Sequence, residues 1–137
     1  MDCNKIDVRR GGDDPVTNLI RKAVLYFSGN RSVTLGNAIY LSNAQANDLA
    51  TLIHEAVHVG QAQGVGLRRF LDAGLGAREQ ELVGLDPYAY VPGKEFNTYQ
   101  LEQQAQITED CAKGVSFACE TLPSYLQSLR GRAVSRP

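Results

Sequence analysis

The sequence predicts a single α+β domain, a short sheet packed against one long helix, with a second clear helix later in the chain. Three features point there: an apolar stripe at helical spacing between positions 16 and 27, a strand-like stretch over 31–41, and two further helical patterns flanking a glycine-punctuated segment. A chain of 137 residues fits one domain, and no second apolar block is large enough for another core. The predicted domain is thus 1–137, with 130–137 as a frayed tail.

Residues 5–9 alternate polar and apolar and predict a short edge strand, and Gly11-Gly12-Asp13-Asp14 reads as a turn. Asp14 followed by Pro15 is a helix start, an N-cap acceptor with proline at the first helical position. Val16, Leu19, Ile20, Ala23, Val24 and Phe27 follow on one stripe, which predicts a core-packing helix ended by Ser28-Gly29-Asn30. The stretch 31–41 reads as one or two strands, broken or bulged at Gly36-Asn37. Ser42-Asn43 is placed to cap a helix over 44–63, weakened at its end by Gly60, Gly64 and Gly66. Residues 67–71 predict a helical turn or short helix, and 87–92 an ordered loop anchored by Tyr88 and Tyr90. Asn97 then caps a helix reaching Lys113, and a shorter helix is expected over 123–129.

With 43% hydrophobic and 21% charged residues, the composition is that of a soluble globular protein. A net charge of -1 with scattered Lys and Arg argues against nucleic acid or an anionic membrane as the main partner. No segment approaches the roughly 18 apolar residues of a membrane span. The polar Met1-Asp2-Cys3-Asn4-Lys5 start is unlike a secretory signal peptide, so synthesis in the cytoplasm is expected, with export by a signal-independent route or as part of a mature domain left open. Cys111 and Cys119, eight apart, read equally well as a small disulfide or as two ordinary thiols.

The chemistry concentrates in His54-Glu55-Ala56-Val57-His58, which contains both histidines of the protein. On a helix, positions i and i+4 share a face one turn apart, so both imidazoles can reach one zinc ion. Glu55 projects beside that face and is placed to take a proton from water as general base. A catalytic zinc ordinarily takes a third protein ligand and keeps one position open. Positions 61 and 64 are Gln61 and Gly64, and no third histidine exists, so the third ligand is expected to be a carboxylate. The downstream candidates are Asp72, Glu79, Glu81, Asp86, Glu95, Glu102, Glu109, Asp110 and Glu120. Glu102 is favoured because it lies on a rigid helix, with small Ala105 at i+3 allowing close approach to the histidine helix.

Three pieces of the chain carry a resemblance to a known group: the strand-like Thr34-Leu35-Gly36-Asn37-Ala38-Ile39-Tyr40-Leu41, the Leu52-to-Gln61 metal stretch, and Phe96-Asn97-Thr98-Tyr99 leading into Leu101-Glu102-Gln103-Gln104-Ala105-Gln106-Ile107. Together these resemble gluzincin-type zinc metallopeptidases, and more closely the small bacterial zincin-like C-terminal domains of type VI secretion spike and Rhs-type toxin effectors. The resemblance implies zinc ligation by His54, His58 and Glu102, with Glu55 catalytic. It also implies delivery to another cell or the periplasm and a cognate immunity protein as partner. Gluzincins often place an acid four residues after the ligand glutamate to support a histidine; here that position is Gln106, and Glu109 or Asp110 could substitute. The expected reaction is hydrolysis of a peptide or protein amide bond, with Tyr88, Tyr90 or Tyr99 as oxyanion donor and Tyr90 favoured among them. The competing reading is a non-catalytic zinc-binding interaction module, against which the intact Glu55 speaks.

Overall fold

The computed structural model describes residues 1–11 and 14–123. The middle of the turn expected at 11–14 and, beyond Pro123, the helix and tail expected at the C-terminus lie outside them. Five α-helices and one three-stranded sheet fill the described residues, an α+β fold as the sequence predicts.

In the sheet, β1 (Asp7–Arg9) pairs parallel with β3 (Ala38–Tyr40), which pairs antiparallel with β2 (Val33–Leu35). The order β1-β3-β2 leaves β1 and β2 as edges. Leu35 faces Ala38 across a two-residue turn, and Gly36 sits at its first position with φ +61°, a region closed to most side chains. The predicted break at Gly36-Asn37 is this turn.

Helix α1 (Pro15–Phe27) starts where expected, with Asp14 Oδ1 accepting the N–H groups of Val16 and Thr17 at 3.1 Å each. Its apolar stripe does not enter the core: Val16, Leu19, Ile20 and Phe27 are exposed, Phe27 by 85%. Arg21 and Leu25 are the buried residues instead. The guanidinium of Arg21 donates to the Leu41 carbonyl from Nε at 3.1 Å and to Asn43 Oδ1 from Nη2 at 2.9 Å. Leu41 follows the last residue of β3, so its carbonyl needs a donor that an apolar stripe cannot supply.

The histidine helix, α2 (Leu49–Val65), begins later than the expected 44. Asn43–Gln45 forms a 3-10 turn, and Asp48 is the cap, its Oδ1 accepting from the Ala50 N–H at 3.0 Å. Gly60 and Gly64 do not end this helix; Gly66, at φ +89°, does. After it, α3 (Leu67–Leu82) is a full helix where a helical turn or short helix over 67–71 was expected. Its Arg, Leu, Ala, Glu and Gln residues are strong helix formers, enough to carry Gly74 and Gly76 at about 1 kcal/mol each. The far end of α3 is braced by a bidentate Arg31–Glu81 pair at 2.9 and 2.8 Å, with Arg78 also on Glu81 at 2.9 Å.

Helix α4 (Leu101–Ala112) also starts later than expected, because Asn97 lies in a 3-10 turn, Phe96–Thr98. The Gln100 N–H instead finds Gln103 Oε1 at 3.0 Å. A short α5 (Ser116–Thr121), unanticipated from the sequence, follows the Gly114 turn.

Two apolar clusters form the core. Ile39, Leu41 and Val59, with Ile6, Val8, Leu52 and Ala56 around them, join the sheet to α2. Tyr99, Ile107, Cys111, Ala118 and Leu122 join α4 to α5. Between these, α2 packs extensively on α4, whose Ala105 is completely buried on the same face as Glu102. Cys111 and Cys119 are joined as a disulfide that ties α5 to α4, with Cα atoms 4.6 Å apart. No helix among the described residues is long and apolar enough to cross a membrane.

The disulfide closes a short loop at the end of α4. Replacing both Cys111 and Cys119 by alanine is expected to lower unfolding free energy by about 2–3 kcal/mol. Urea denaturation checks this, and an unchanged midpoint would show that α5 is held by packing alone.

Candidate metal centre

Both histidines face α4 because α2 continues unbroken through residues 54–58, placing them one turn apart. His54, Glu55 and His58 are buried, at 8%, 6% and 5% exposure. Glu102, in the first turn of α4, meets them there. His58 Nε2 lies 3.2 Å from His54 Nε2 and 3.1 Å from Glu102 Oε2, and His54 Nε2 lies 3.6 Å from the same oxygen. Among the described residues this trio forms a cluster of donor atoms able to hold a metal ion. Donors arranged tetrahedrally about zinc at about 2.0–2.1 Å sit about 3.3 Å apart, so the three edges match three corners of such a site.

A second layer fixes which nitrogen of each ring faces the cluster. Gln61 Nε2 donates to the Leu101 carbonyl at 3.0 Å, which only accepts, so its Oε1 must accept from His58 Nδ1, 2.7 Å away. His58 Nδ1 therefore bears a hydrogen, and Nε2 is the nitrogen that faces the cluster. For His54 the same part falls to Glu109, whose Oε2 lies 2.9 Å from Nδ1, though the N–H is not squarely aligned on it. Lys113 holds the other Glu109 oxygen. Of the two acids that could replace the missing carboxylate at position 106, Glu109 is thus the one at the histidine. Asp110 accepts instead from Gln106 Nε2 and from the Tyr90 hydroxyl, both at 2.8 Å.

Charge states follow from these contacts. Burial disfavours an imidazolium at His54, but Glu102 and Glu109 outweigh it and hold its pKa up to about 9 in the metal-free site. Burial likewise raises Glu102, yet His54 and His58 bring it down to about 2. Glu109 is lowered to about 2 by His54, against burial and with help from Lys113. Glu55 differs: burial pushes its carboxyl above the ordinary value, against the pull of His58, of a Thr34 hydrogen bond and of His54. Thr34 Oγ1 lies 2.7 Å from Glu55 Oε2 and 2.9 Å from the Glu55 carbonyl.

The cluster opens on a cavity of about 810 Å³. Its lining combines His54, Glu55, His58, Tyr88 and Glu102 with the apolar Phe27, Leu35, Phe70, Leu71 and Leu75. Tyr88 lines the cavity with its ring centroid 6.0 Å from that of His54, and its hydroxyl has no hydrogen-bond partner among the described residues. Burial and the Glu102 charge raise its pKa to about 12, so it stays a donor at neutral pH. Tyr90, the tyrosine favoured from sequence, is not brought to the cavity: it packs against Tyr99 and Phe117 with its hydroxyl on Asp110. Tyr99 is also occupied, donating to the Val91 carbonyl at 2.6 Å. Sequence reasoning missed Gln61 as a support; its one signal was its position a turn beyond His58.

No family model, curated protein or solved structure matches the chain.

Removing the Gln61 support should free the His58 ring to turn. With zinc as the ion this cluster would hold, Gln61→Leu is expected to weaken its binding by about 10–100-fold while leaving the fold intact. Chelator competition measures the affinity and circular dichroism the fold; an unchanged affinity would mean that packing alone orients His58.

Proposed function

We propose that the chain is a zinc-dependent hydrolase of the zincin kind, a metallopeptidase cleaving amide bonds. The observation that carries the reading is the convergence of His54 Nε2, His58 Nε2 and Glu102 Oε2 at edges of 3.1–3.6 Å beside a buried Glu55, at one wall of an open cavity. Two imidazoles and one carboxylate are a donor set that catalytic zinc uses, with one position left open. Bound there, zinc would supply Lewis-acid polarisation of the scissile carbonyl and a lowered pKa for water.

The chain's own groups supply the rest. Oε2 of Glu55 is engaged by Thr34, leaving Oε1 to take a proton from the attacking water. As the water oxygen bonds to the carbonyl carbon and the C–N bond breaks, that proton passes from Glu55 to the leaving nitrogen. A raised carboxyl pKa suits both halves of this transfer, since the group must accept and then give back. Tyr88, protonated and without a competing partner, is the residue suited to donate to the carbonyl oxygen as negative charge develops there. The apolar side chains in the cavity lining suit a substrate with a bulky apolar group near the scissile bond.

Glu55→Gln tests the reading, because glutamine keeps the shape but cannot act as the base. The variant is expected to bind one zinc per chain, like the native protein, and to lose peptide hydrolysis by about 100-fold or more. Metal analysis and cleavage of casein or quenched-fluorescent peptides measure both. Native protein without stoichiometric zinc would end the metal reading, and equal cleavage by both forms would end the role of Glu55.

The metal-free charge states give a second check. His54 is protonated below about pH 9, and zinc must displace that proton to reach Nε2. Apparent zinc affinity should therefore rise about tenfold per pH unit between 6 and 8, with at least one proton released per zinc. Titration in weak buffer detects the proton, and a flat affinity profile would contradict the charge assignment.

A further inference from the structure

Thr34 occupies the middle of β2, opposite Ile39, where a β-branched residue is expected and valine would pack as well. It is 3% exposed, so its hydroxyl has been taken out of water and requires a partner. Both of its hydrogen-bond partners belong to Glu55, the carboxylate Oε2 at 2.7 Å and the backbone carbonyl at 2.9 Å. A hydroxyl has one proton to donate and can point it at only one of these at a time.

We propose that Thr34 is a positioning residue for Glu55, its hydroxyl fixing the carboxylate through Oε2 so that Oε1 is the oxygen left for the reaction. With Glu55 ionised, the hydroxyl donates to Oε2 and holds the carboxylate against the sheet, Oε1 left for water. Once Oε1 carries the proton, Oε2 is the carbonyl oxygen of the acid and still accepts from Thr34, so the carboxyl need not turn between taking the proton and giving it up. One bond to Oε2 therefore serves both halves of the transfer. A valine would pack equally well and would offer neither bond. This role rests on the proposed hydrolase reading, since it concerns the base of that reaction.

The test compares Thr34→Val and Thr34→Ser with the native full chain, and pairs Thr34→Val with Glu55→Ala, which removes the side-chain acceptor, in a double-mutant cycle. Thr34→Val should keep one zinc per chain and an unchanged KM while kcat falls about tenfold or more, and Thr34→Ser should recover most of the loss. Urea unfolding of the four proteins in the cycle, with and without zinc, should show non-additivity of about tenfold in the unfolding equilibrium. Additive effects, an unchanged kcat in Thr34→Val, or a serine variant as impaired as the valine one would each overturn the positioning role alone. Failure of the native protein to hydrolyse any peptide would overturn the proposed activity and this role with it. Should Thr34→Val not fold, Thr34→Ala takes its place with the same expectations.

Discussion

Gln61 has one amide nitrogen and one amide oxygen to offer, and the backbone of α4 decides which way they point. The Leu101 carbonyl takes the nitrogen, so the oxygen is left for His58 Nδ1, and Nε2 is left to face the cluster. Glu109, two turns beyond Glu102 on α4, does the corresponding work at His54. Both imidazoles are therefore set by the helix that also carries the third donor. The α2–α4 packing is the constraint on which the rest of the site depends: a shift of α4 would move Glu102 and release both rings together.

That arrangement also explains how so much charge sits inside a small domain. His54 lies between Glu102 and Glu109, and Glu109 is anchored in turn by Lys113. In this row each charge is answered by an opposite one, where a lone buried ion would carry a desolvation cost of several kcal/mol. The exception is Glu55, whose nearest fixed donor is a neutral hydroxyl on a strand. Its environment is the least favourable to negative charge among the three acids around His54, and that is the condition a proton carrier needs.

How far the sequence could be read depended on how local the determining physics was. His54, Glu55 and His58 were legible because the helical period alone puts them on a face, and Glu102 because a rigid helix with a small neighbour was visible around it. The Asp14-Pro15 start of α1 was legible for the same reason, since the cap lies within three residues of what it caps. Gln61 was not, because its role comes from a carbonyl forty positions away. The choice between Tyr88 and Tyr90 turns on the course of an irregular loop and on Asp110, neither of which has a period to read. The stripe of α1 misled because amphipathicity reports which face is apolar, while the Leu41 carbonyl and the already occupied sheet decided which face docked.

The separation of the donors along the chain has a consequence for the order of assembly. His58 and Glu102 are 44 residues apart, and Glu109 and the disulfide come later still. During synthesis, α2 leaves the ribosome with two imidazoles and no carboxylate partner on α4. A chain interrupted before position 102 offers metal only a two-nitrogen site of ordinary helical geometry, with nothing to hold either ring. Closing that long loop is an entropic step that must precede the three-donor cluster, so the cluster exists only once α2 and α4 have paired.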